Sequence, residues 1–225
     1  MTLLREIQLL LERTYGSTGV NFEEFLLDHL RCRELTALTG TWARQISNLG
    51  CVFMRTQHGK LRLGIYYHER VIAALEQNSP QFGLNDDNVL PFMVFLEELD
   101  HAVHASLKYR EGDTNIHAEA FVRDLELQAK VDVYLILQMY CAYFNADKKL
   151  TLADRRWLKA CVFDAETFAY EEPHLRERYR ESNRLGRRYV TFLERLSAPR
   201  RTAEIRRFRK LTFAAKRNRI LALSA

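Results

Sequence analysis

The chain has 225 residues, of which 47% are hydrophobic and 28% are charged, the balance of a folded globular protein rather than a disordered one. Nine glycines and four prolines exclude collagen-like and low-complexity architectures. The sequence predicts neither a zinc ribbon nor a disulfide framework, because no CxxC pair occurs among Cys32, Cys51, Cys141 and Cys161. We therefore expect a cytoplasmic protein with reduced thiols and no transmembrane segment.

The net charge of +5 conceals an uneven distribution along the chain. The chain has 34 Lys and Arg residues and 29 Asp and Glu residues. Segment 176–225 contains 16 of the basic residues and 4 of the acidic ones, which leaves 18 basic and 25 acidic residues in segment 1–175. An acidic body with a basic C-terminal segment indicates either a separate binding role or a tail that folds against the negative body.

Apolar residues recur with a helical period through most of the chain. Helices are predicted over 2–13, 21–31, 89–109, 116–144, 151–163, 174–196 and 202–222. The first carries charged residues within its apolar pattern, which is typical of an amphipathic helix rather than a signal peptide. Asn21 followed by Glu24 resembles a capping box at the start of the second, and Thr151 followed by Asp154 is a looser version.

Residues 50–67 break this pattern. Leu61, Leu63 and Ile65 alternate with less apolar residues, and His58-Gly59 separates two β-rich runs, so a β-hairpin is predicted. The composition of 78–88 is typical of a loop. The expected fold class is α+β and mostly helical. We expect one mainly helical domain over 1–196, with its core at 50–141, and a basic amphipathic helix over 197–225 after a linker at Ser197.

A polar stripe runs along the predicted helix 89–109. Its members Glu97, His101, His104 and Lys108 recur at i, i+4, i+7 and i+11 beside an apolar face. Side chains at i and i+4 can share one metal ion because they leave the same face of the helix. Glu98 lies next to this stripe, near enough to reach a water molecule on such an ion.

The segment Glu97-Glu-Leu-Asp-His101 resembles the HExxH helix of zincin metallopeptidases, with Glu in place of the first His. The likeness covers about residues 50–141, since the hairpin lies where zincins have the edge strand that aligns a peptide. In the gluzincin branch the third ligand is a Glu on a later helix, and Glu126, on the predicted helix 116–144, matches it. The resemblance implies a zincin-like core, in which a hairpin precedes a metal-site helix and a second, Glu-bearing helix.

The resemblance also implies roles for individual residues. Glu97, His101 and Glu126 would bind a divalent metal ion, His104 is a further candidate ligand, and Glu98 would be the general base. The resemblance implies a metal-dependent, peptidase-like hydrolase. Alternatively, the chain is a non-catalytic relative that retains the fold and has lost the activity. Two carboxylates and one imidazole form a harder ligand set than that of zincins, which admits Mn or Fe beside Zn.

A ferritin-like di-iron carboxylate protein is an alternative, because its signature is Glu-x-x-His. The chain contains this spacing at Glu98–His101 and at Glu171–His174. The remaining carboxylates would come from other helices, with Glu23 or Glu24, and Glu126, as candidates. Against this alternative, Pro173 indicates that Glu171 precedes its helix, and a four-helix bundle has no place for the hairpin.

The C-terminal segment favours a third, non-enzymatic alternative. Basic pairs within 200–225 are interleaved with the apolar residues Ile205, Phe208, Leu211, Phe213 and Ile220. Such a helix can bind nucleic-acid phosphates, an anionic surface or an acidic partner, or pack on the chain's own acidic body. Its regular apolar spacing favours packing. The sequence names no particular substrate or protein partner. It is compatible with an oligomer.

Overall fold

The computed structural model describes residues 1–39, 49–164 and 173–223. The chain forms two compact units, Met1–Ile116 and His117–Ala225. Most of the described residues are helical and a small three-stranded sheet accompanies them, which confirms the mostly helical α+β class. The predicted zincin-like core and the predicted boundary at residue 197 stay predictions.

The first unit consists of four described helices and three strands. In chain order these are α1 (Leu3–Tyr15), β1 (Leu26–Leu27), α2 (His29–Thr39), β2 (Gly50–Gln57), β3 (Lys60–Tyr67), α3 (Glu69–Gln77) and α4 (Val89–Arg110). The predictions of the first helix and of helix 89–109 are therefore confirmed. α4 packs against α1, α3, β2 and β3, so it is the central element of this unit.

The helix predicted over 21–31 is wrong. Phe22–Phe25 forms a 3-10 helix, which Asn21 caps by accepting a hydrogen bond from the Glu23 backbone N–H. β1 follows and pairs in parallel with β3, and α2 begins only at His29. This pairing joins β1 to a strand far along the chain, with Leu26 opposite Ile65. The segment therefore forms a strand although its apolar residues have a helical spacing.

The hairpin predicted over 50–67 is confirmed. β2 and β3 pair antiparallel from Gly50 opposite Tyr67 to Gln57 opposite Lys60. The two turn residues, His58 and Gly59, both have positive φ, as two-residue hairpin turns of the primed types require. The strand order is β1-β3-β2, so β2 lies at an edge of the described sheet.

The hairpin is fixed to α4 through Tyr67, the last residue of β3. Its hydroxyl donates a hydrogen bond to the Phe95 carbonyl at 3.0 Å, and the two rings stack with centroids 4.9 Å apart. Both side chains are buried, so the hydrogen bond is shielded from water. The contact places β2 and β3 beside the helix that carries Glu97, Glu98 and His101.

The second unit contains helices and no strand among its described residues. Its elements are α5 (Glu119–Phe144), α6 (Leu152–Lys159), a π-helical turn (Ala160–Asp164), α7 (Pro173–Leu193), α8 (Ala198–Arg209) and α9 (Phe213–Ala222). α5 packs against α6, α7 and α9. The looser capping signal at Thr151 and Asp154 is a complete capping box, because each side chain accepts a hydrogen bond from the other residue's backbone N–H.

The single C-terminal helix predicted over 202–222 is wrong in its bounds. Two helices, α8 and α9, are separated at residues 210–212, where Thr212 caps α9 by accepting a hydrogen bond from the Ala215 backbone N–H. The predicted linker is the start of α8, since Ser197 is its N-cap and Pro199 lies in its first turn.

Three of the five apolar residues named in this basic segment are buried and the other two, Leu211 and Phe213, are partly buried, as the packing interpretation predicts. Ile205, Phe208 and Ile220 lie in the core. Lys216 is also fully buried, and its Nζ lies 2.9 Å from Asp124 Oδ1 and 2.7 Å from Gln128 Oε1 on α5. A cation of the tail thus meets an acidic group of α5, so the basic segment is part of the second unit's core.

We expect Phe208→Ala to lower the free energy of unfolding by about 3–5 kcal/mol. The substitution leaves a cavity beside Tyr189, whose ring centroid lies 3.9 Å from that of Phe208. Urea denaturation measures the change. Leu152→Ala is the control, because that side chain is 64% exposed and should cost less than about 0.5 kcal/mol. Equal losses in the two variants would contradict the buried role of Phe208.

Glu204 should make the stability of this unit depend on pH. It accepts hydrogen bonds from Arg219, Arg207 and Tyr189. Burial alone raises the pKa of its carboxyl, but these hydrogen bonds outweigh burial, so the pKa lies below the ordinary value of 4.5. The stabilisation is fully present above the unfolded-state pKa and is lost as the pH falls through the lower folded-state pKa.

Glu204→Gln should therefore lower the free energy of unfolding by about 1.5–3 kcal/mol at neutral pH, with a difference that shrinks below pH ~4. Denaturation curves of both proteins at a series of pH values measure it. A difference that grows on acidification would show that the carboxylate is not held in its charged form.

Candidate metal centre

α4 is held in place from its first turn. Asn88 precedes the helix, but its side chain orders the preceding loop instead of capping the helix: it accepts a hydrogen bond from the Asn85 N–H at 3.0 Å and donates one to the Gly83 carbonyl at 2.8 Å. Pro91 lies in the first turn of the helix. The apolar face is buried and comprises Phe92, Phe95, Leu96, Leu99, Ala102 and Val103.

Glu97 and His101 lie one turn apart on α4, as predicted. A carboxylate oxygen of Glu97 lies within 4.8 Å of a ring nitrogen of His101, and both residues are partly buried. The side chain of His101 is 13% exposed. A carboxylate and an imidazole at this spacing can bind the same metal ion.

Glu98 lies between this pair and the hairpin. One of its carboxylate oxygens is 3.8 Å from His101 Nδ1. Its Cγ comes close to β2, since a Cβ added at Gly50 would lie only 2.9 Å from it. Burial raises the pKa of the Cys51 thiol and of the Tyr67 hydroxyl, and the negative charge of Glu98 raises both further. The carboxylate is therefore within electrostatic reach of β2 and β3.

A second carboxylate–imidazole pair lies on the same helix. Asp100 Oδ1 is 3.2 Å from His104 Nε2, and both side chains are almost fully buried. The ring of Tyr15 on α1 meets the ring of His104 edge-on, with centroids 4.9 Å apart. His104 was identified as a candidate ligand from the sequence, but Asp100 was not. The i, i+4 spacing of Asp100 and His104 is the same as that of Glu97 and His101.

Glu126 belongs to the second unit and lies on α5. It is 5% exposed, so its carboxylate is buried. Other charged residues of this helix are buried with it, including Asp124, Lys130 and Asp132. Asp132 accepts a hydrogen bond from Gln128 Nε2 at 2.9 Å. The assignment of Glu126 as a ligand beside Glu97 and His101 stays a prediction.

The residues that the di-iron alternative requires are less well placed. Glu23 and Glu24 lie in a 3-10 helix, where Glu24 is exposed and Glu23 accepts a hydrogen bond from the Thr2 hydroxyl. Glu171 lies outside the described residues, and His174 is an exposed residue in the first turn of α7. Neither Glu23 nor Glu24 is therefore presented by a long helix, as a di-iron bundle needs.

Comparison of the chain with protein-family models, with curated proteins and with solved structures finds no match in any of the three. Among the described residues, no helix combines the length and the apolar character that crossing a membrane requires. The likeness to zincins thus consists of the motif, its spacing and the preceding hairpin.

Gly50→Ala should displace Glu98, because the added methyl group would lie 2.9 Å from Glu98 Cγ and 3.1 Å from Val94 Cγ1. We expect a loss of about 1–3 kcal/mol in the free energy of unfolding, measured by urea denaturation. Gln57→Ala, at the exposed end of the same strand, is the control. A Gly50→Ala protein as stable as its parent would show that Glu98 does not pack closely against β2.

Proposed function

We propose that the chain is a metal-dependent hydrolase acting on peptide-like substrates, and that Glu97, His101 and Glu126 are its metal ligands. One observation carries the proposal: α4 presents Glu97 and His101 one turn apart, with the carboxylate of Glu98 between that pair and the hairpin. This arrangement combines two side chains of types that bind metal ions with a neighbouring carboxylate that can accept a proton.

The donor groups fit a divalent metal ion. Carboxylate and imidazole side chains are ligands of Zn, Mn and Fe, and a set with two carboxylates favours the harder ions. Carboxylate and histidine side chains that could hold a metal ion are thus present on α4, whatever the identity of the ion.

Each residue would have a distinct part in hydrolysis. A bound metal ion would polarise the scissile carbonyl and lower the pKa of a water molecule. Glu98 would accept the proton of the attacking water and then donate it to the leaving amine. Its burial beside β2 holds the carboxylate close to the position of that water, because the side chain has little room to turn away.

The sheet supports a peptide-like substrate. β2 lies at an edge of the described sheet, so its outer backbone groups can pair with an extended chain. Glu98 lies against Gly50, the first residue of that strand. A peptide paired with β2 would therefore pass near the proposed proton acceptor.

A non-enzymatic role of the basic segment is the second candidate. Arg200, Arg206 and Lys210 are exposed on and beside α8, whereas the apolar face of that helix is buried. The exposed cations could bind phosphate groups of a nucleic acid or an anionic surface. The observations on α4 favour hydrolysis as the main function.

We expect His101→Ala to weaken metal binding at this pair by more than about 100-fold, because it removes a direct ligand. Competition with a chromogenic chelator for Zn²⁺ or Mn²⁺ measures the affinity. His117→Ala, which removes an exposed histidine, is the matched control and should bind metal as the parent does. Unchanged binding in His101→Ala would mean that the ligand assignment is wrong.

Glu98→Gln separates binding from chemistry. The variant should bind metal like the parent and hydrolyse peptides about 10²–10⁴-fold more slowly, because the amide cannot accept a proton. Cleavage of a mixture of unstructured peptides, followed by mass spectrometry, measures activity. A variant that retains full activity would exclude Glu98 as the base, and a parent that binds metal without cleaving any peptide would favour a non-catalytic relative.

A further inference from the structure

We propose that Cys32 and Cys51 are a redox-active pair, whose thiols are oxidised to a reversible disulfide that joins α2 to β2. Both residues belong to the first unit, and their chemistry does not involve the metal ligands proposed on α4. The oxidant is a low-molecular-weight disulfide such as oxidised glutathione, and a low-molecular-weight thiol reverses the reaction.

The sheet places one of the two thiols on a covered face. Cys51 on β2 lies directly opposite Tyr66 on β3, and Leu27 on β1 is the partner of Tyr66 on its other side. Paired side chains point to the same face of a sheet, and Phe53, two residues after Cys51, shares that face. Cys51 and Tyr66 are each 4% exposed, and Leu27 and Phe53 pack against them. Cys51 therefore points into a small apolar cluster.

α2 brings the second thiol to the same face. Cys32 is 4% exposed and belongs to the buried cluster of Cys51 and Tyr66. His29, one turn earlier on α2, has its Nδ1 3.1 Å from the Tyr66 hydroxyl, so this side of the helix lies on the sheet. The Cys51 thiol donates a hydrogen bond to Cys32 Sγ. The two sulfur atoms are thus in contact, and a disulfide requires a further approach to about 2.05 Å.

The attachment of α2 gives the pair a physical role. Among the side chains of α2 that the structure describes, Cys32 and Thr36 are the buried ones. The Thr36 hydroxyl is bonded within the helix, since it donates to the Cys32 carbonyl at 2.8 Å. Cys32 therefore supplies much of the contact between α2 and the sheet. A helix with so few buried side chains opens readily, whereas a disulfide to β2 would hold it in place.

The disulfide forms by two successive thiol–disulfide exchanges. The Cys32 thiolate attacks one sulfur of oxidised glutathione, which gives a mixed disulfide and releases one glutathione thiolate. The Cys51 thiolate then attacks the Cys32 sulfur, forms the protein S–S bond and releases the second glutathione. Two electrons pass from the cysteines to glutathione, and the two thiol protons end on the released molecules. Cys32 attacks first because the hydrogen bond that it accepts favours its thiolate.

Burial makes the pair slow to oxidise. It raises the pKa of both thiols, and the negative charge of Glu98 raises that of Cys51 further. Because a thiolate is the attacking species, and because glutathione must reach Cys32, the reaction requires α2 to open. The disulfide then closes a loop of about 20 residues and removes chain entropy from the unfolded state. The pair therefore responds to sustained oxidation, and its product is a more stable first unit.

Oxidation of the full-length Cys141→Ser/Cys161→Ser protein tests the proposal, because Cys32 and Cys51 are the cysteines that this double variant retains. Excess oxidised glutathione should remove both titratable thiols, and dithiothreitol should restore them. Mass spectrometry of a non-reduced digest should find Cys32 linked to Cys51 within one chain. Hydrogen exchange of the α2 amides should be about tenfold slower, or more, in the oxidised protein. Cys51→Ala in the same background is the matched control, and oxidation should not slow exchange in it.

Two results would overturn the disulfide. One is a pair of thiols that stays reduced in excess oxidised glutathione while the urea-denatured protein is oxidised. The other is a stable mixed disulfide of glutathione on Cys32 or Cys51 without the bond between them. Circular dichroism identifies a variant that fails to fold. The same digest of the oxidised parent then decides, since its main cross-link must join Cys32 to Cys51 and not involve Cys141 or Cys161.

Discussion

The contact between Tyr67 and Phe95 is the interaction on which the candidate centre depends. Its buried hydrogen bond and stacked rings join the end of β3 to the middle of α4. Glu97 and Glu98 follow Phe95 within one turn of the helix, so any shift of the hairpin along the helix would move their carboxylates relative to β2. The hydrogen bond ends on a backbone carbonyl, which fixes the register of the strand against the helix, whereas apolar packing alone would permit sliding.

The elements that could be predicted are those whose patterns are local. The hairpin follows from the alternation around Leu63 and from a two-residue turn, and α4 follows from its apolar period, so the predicted bounds of both agree closely with the structure. The helix over 21–31 was not predictable in this way, because β1 forms through pairing with a distant strand. α3 was missed although Val71 and Leu75 have helical spacing, since the segment is short and follows the hairpin directly.

The same distinction applies to the candidate centre. Glu97, Glu98 and His101 form a motif, so the sequence identifies them and the structure shows how α4 presents them. Asp100 has no motif of its own, and an acidic residue next to an apolar stripe is usually solvent-exposed. Only the three-dimensional contacts with His104 and the burial of both side chains single it out.

The parallel pairing of β1 with β3 has a consequence for how the first unit folds. The hairpin joins residues adjacent in the chain and can form within microseconds, whereas β1 meets β3 only after the long segment between them, which includes α2 and β2, has closed into a loop. Loop closure loses chain entropy before it gains two pairs of residues, so β1 should add to the sheet last. Pulse-labelling hydrogen exchange during refolding would then protect Gly64, which forms a hydrogen-bonded pair with Phe53 in the hairpin, before Leu27 gains protection.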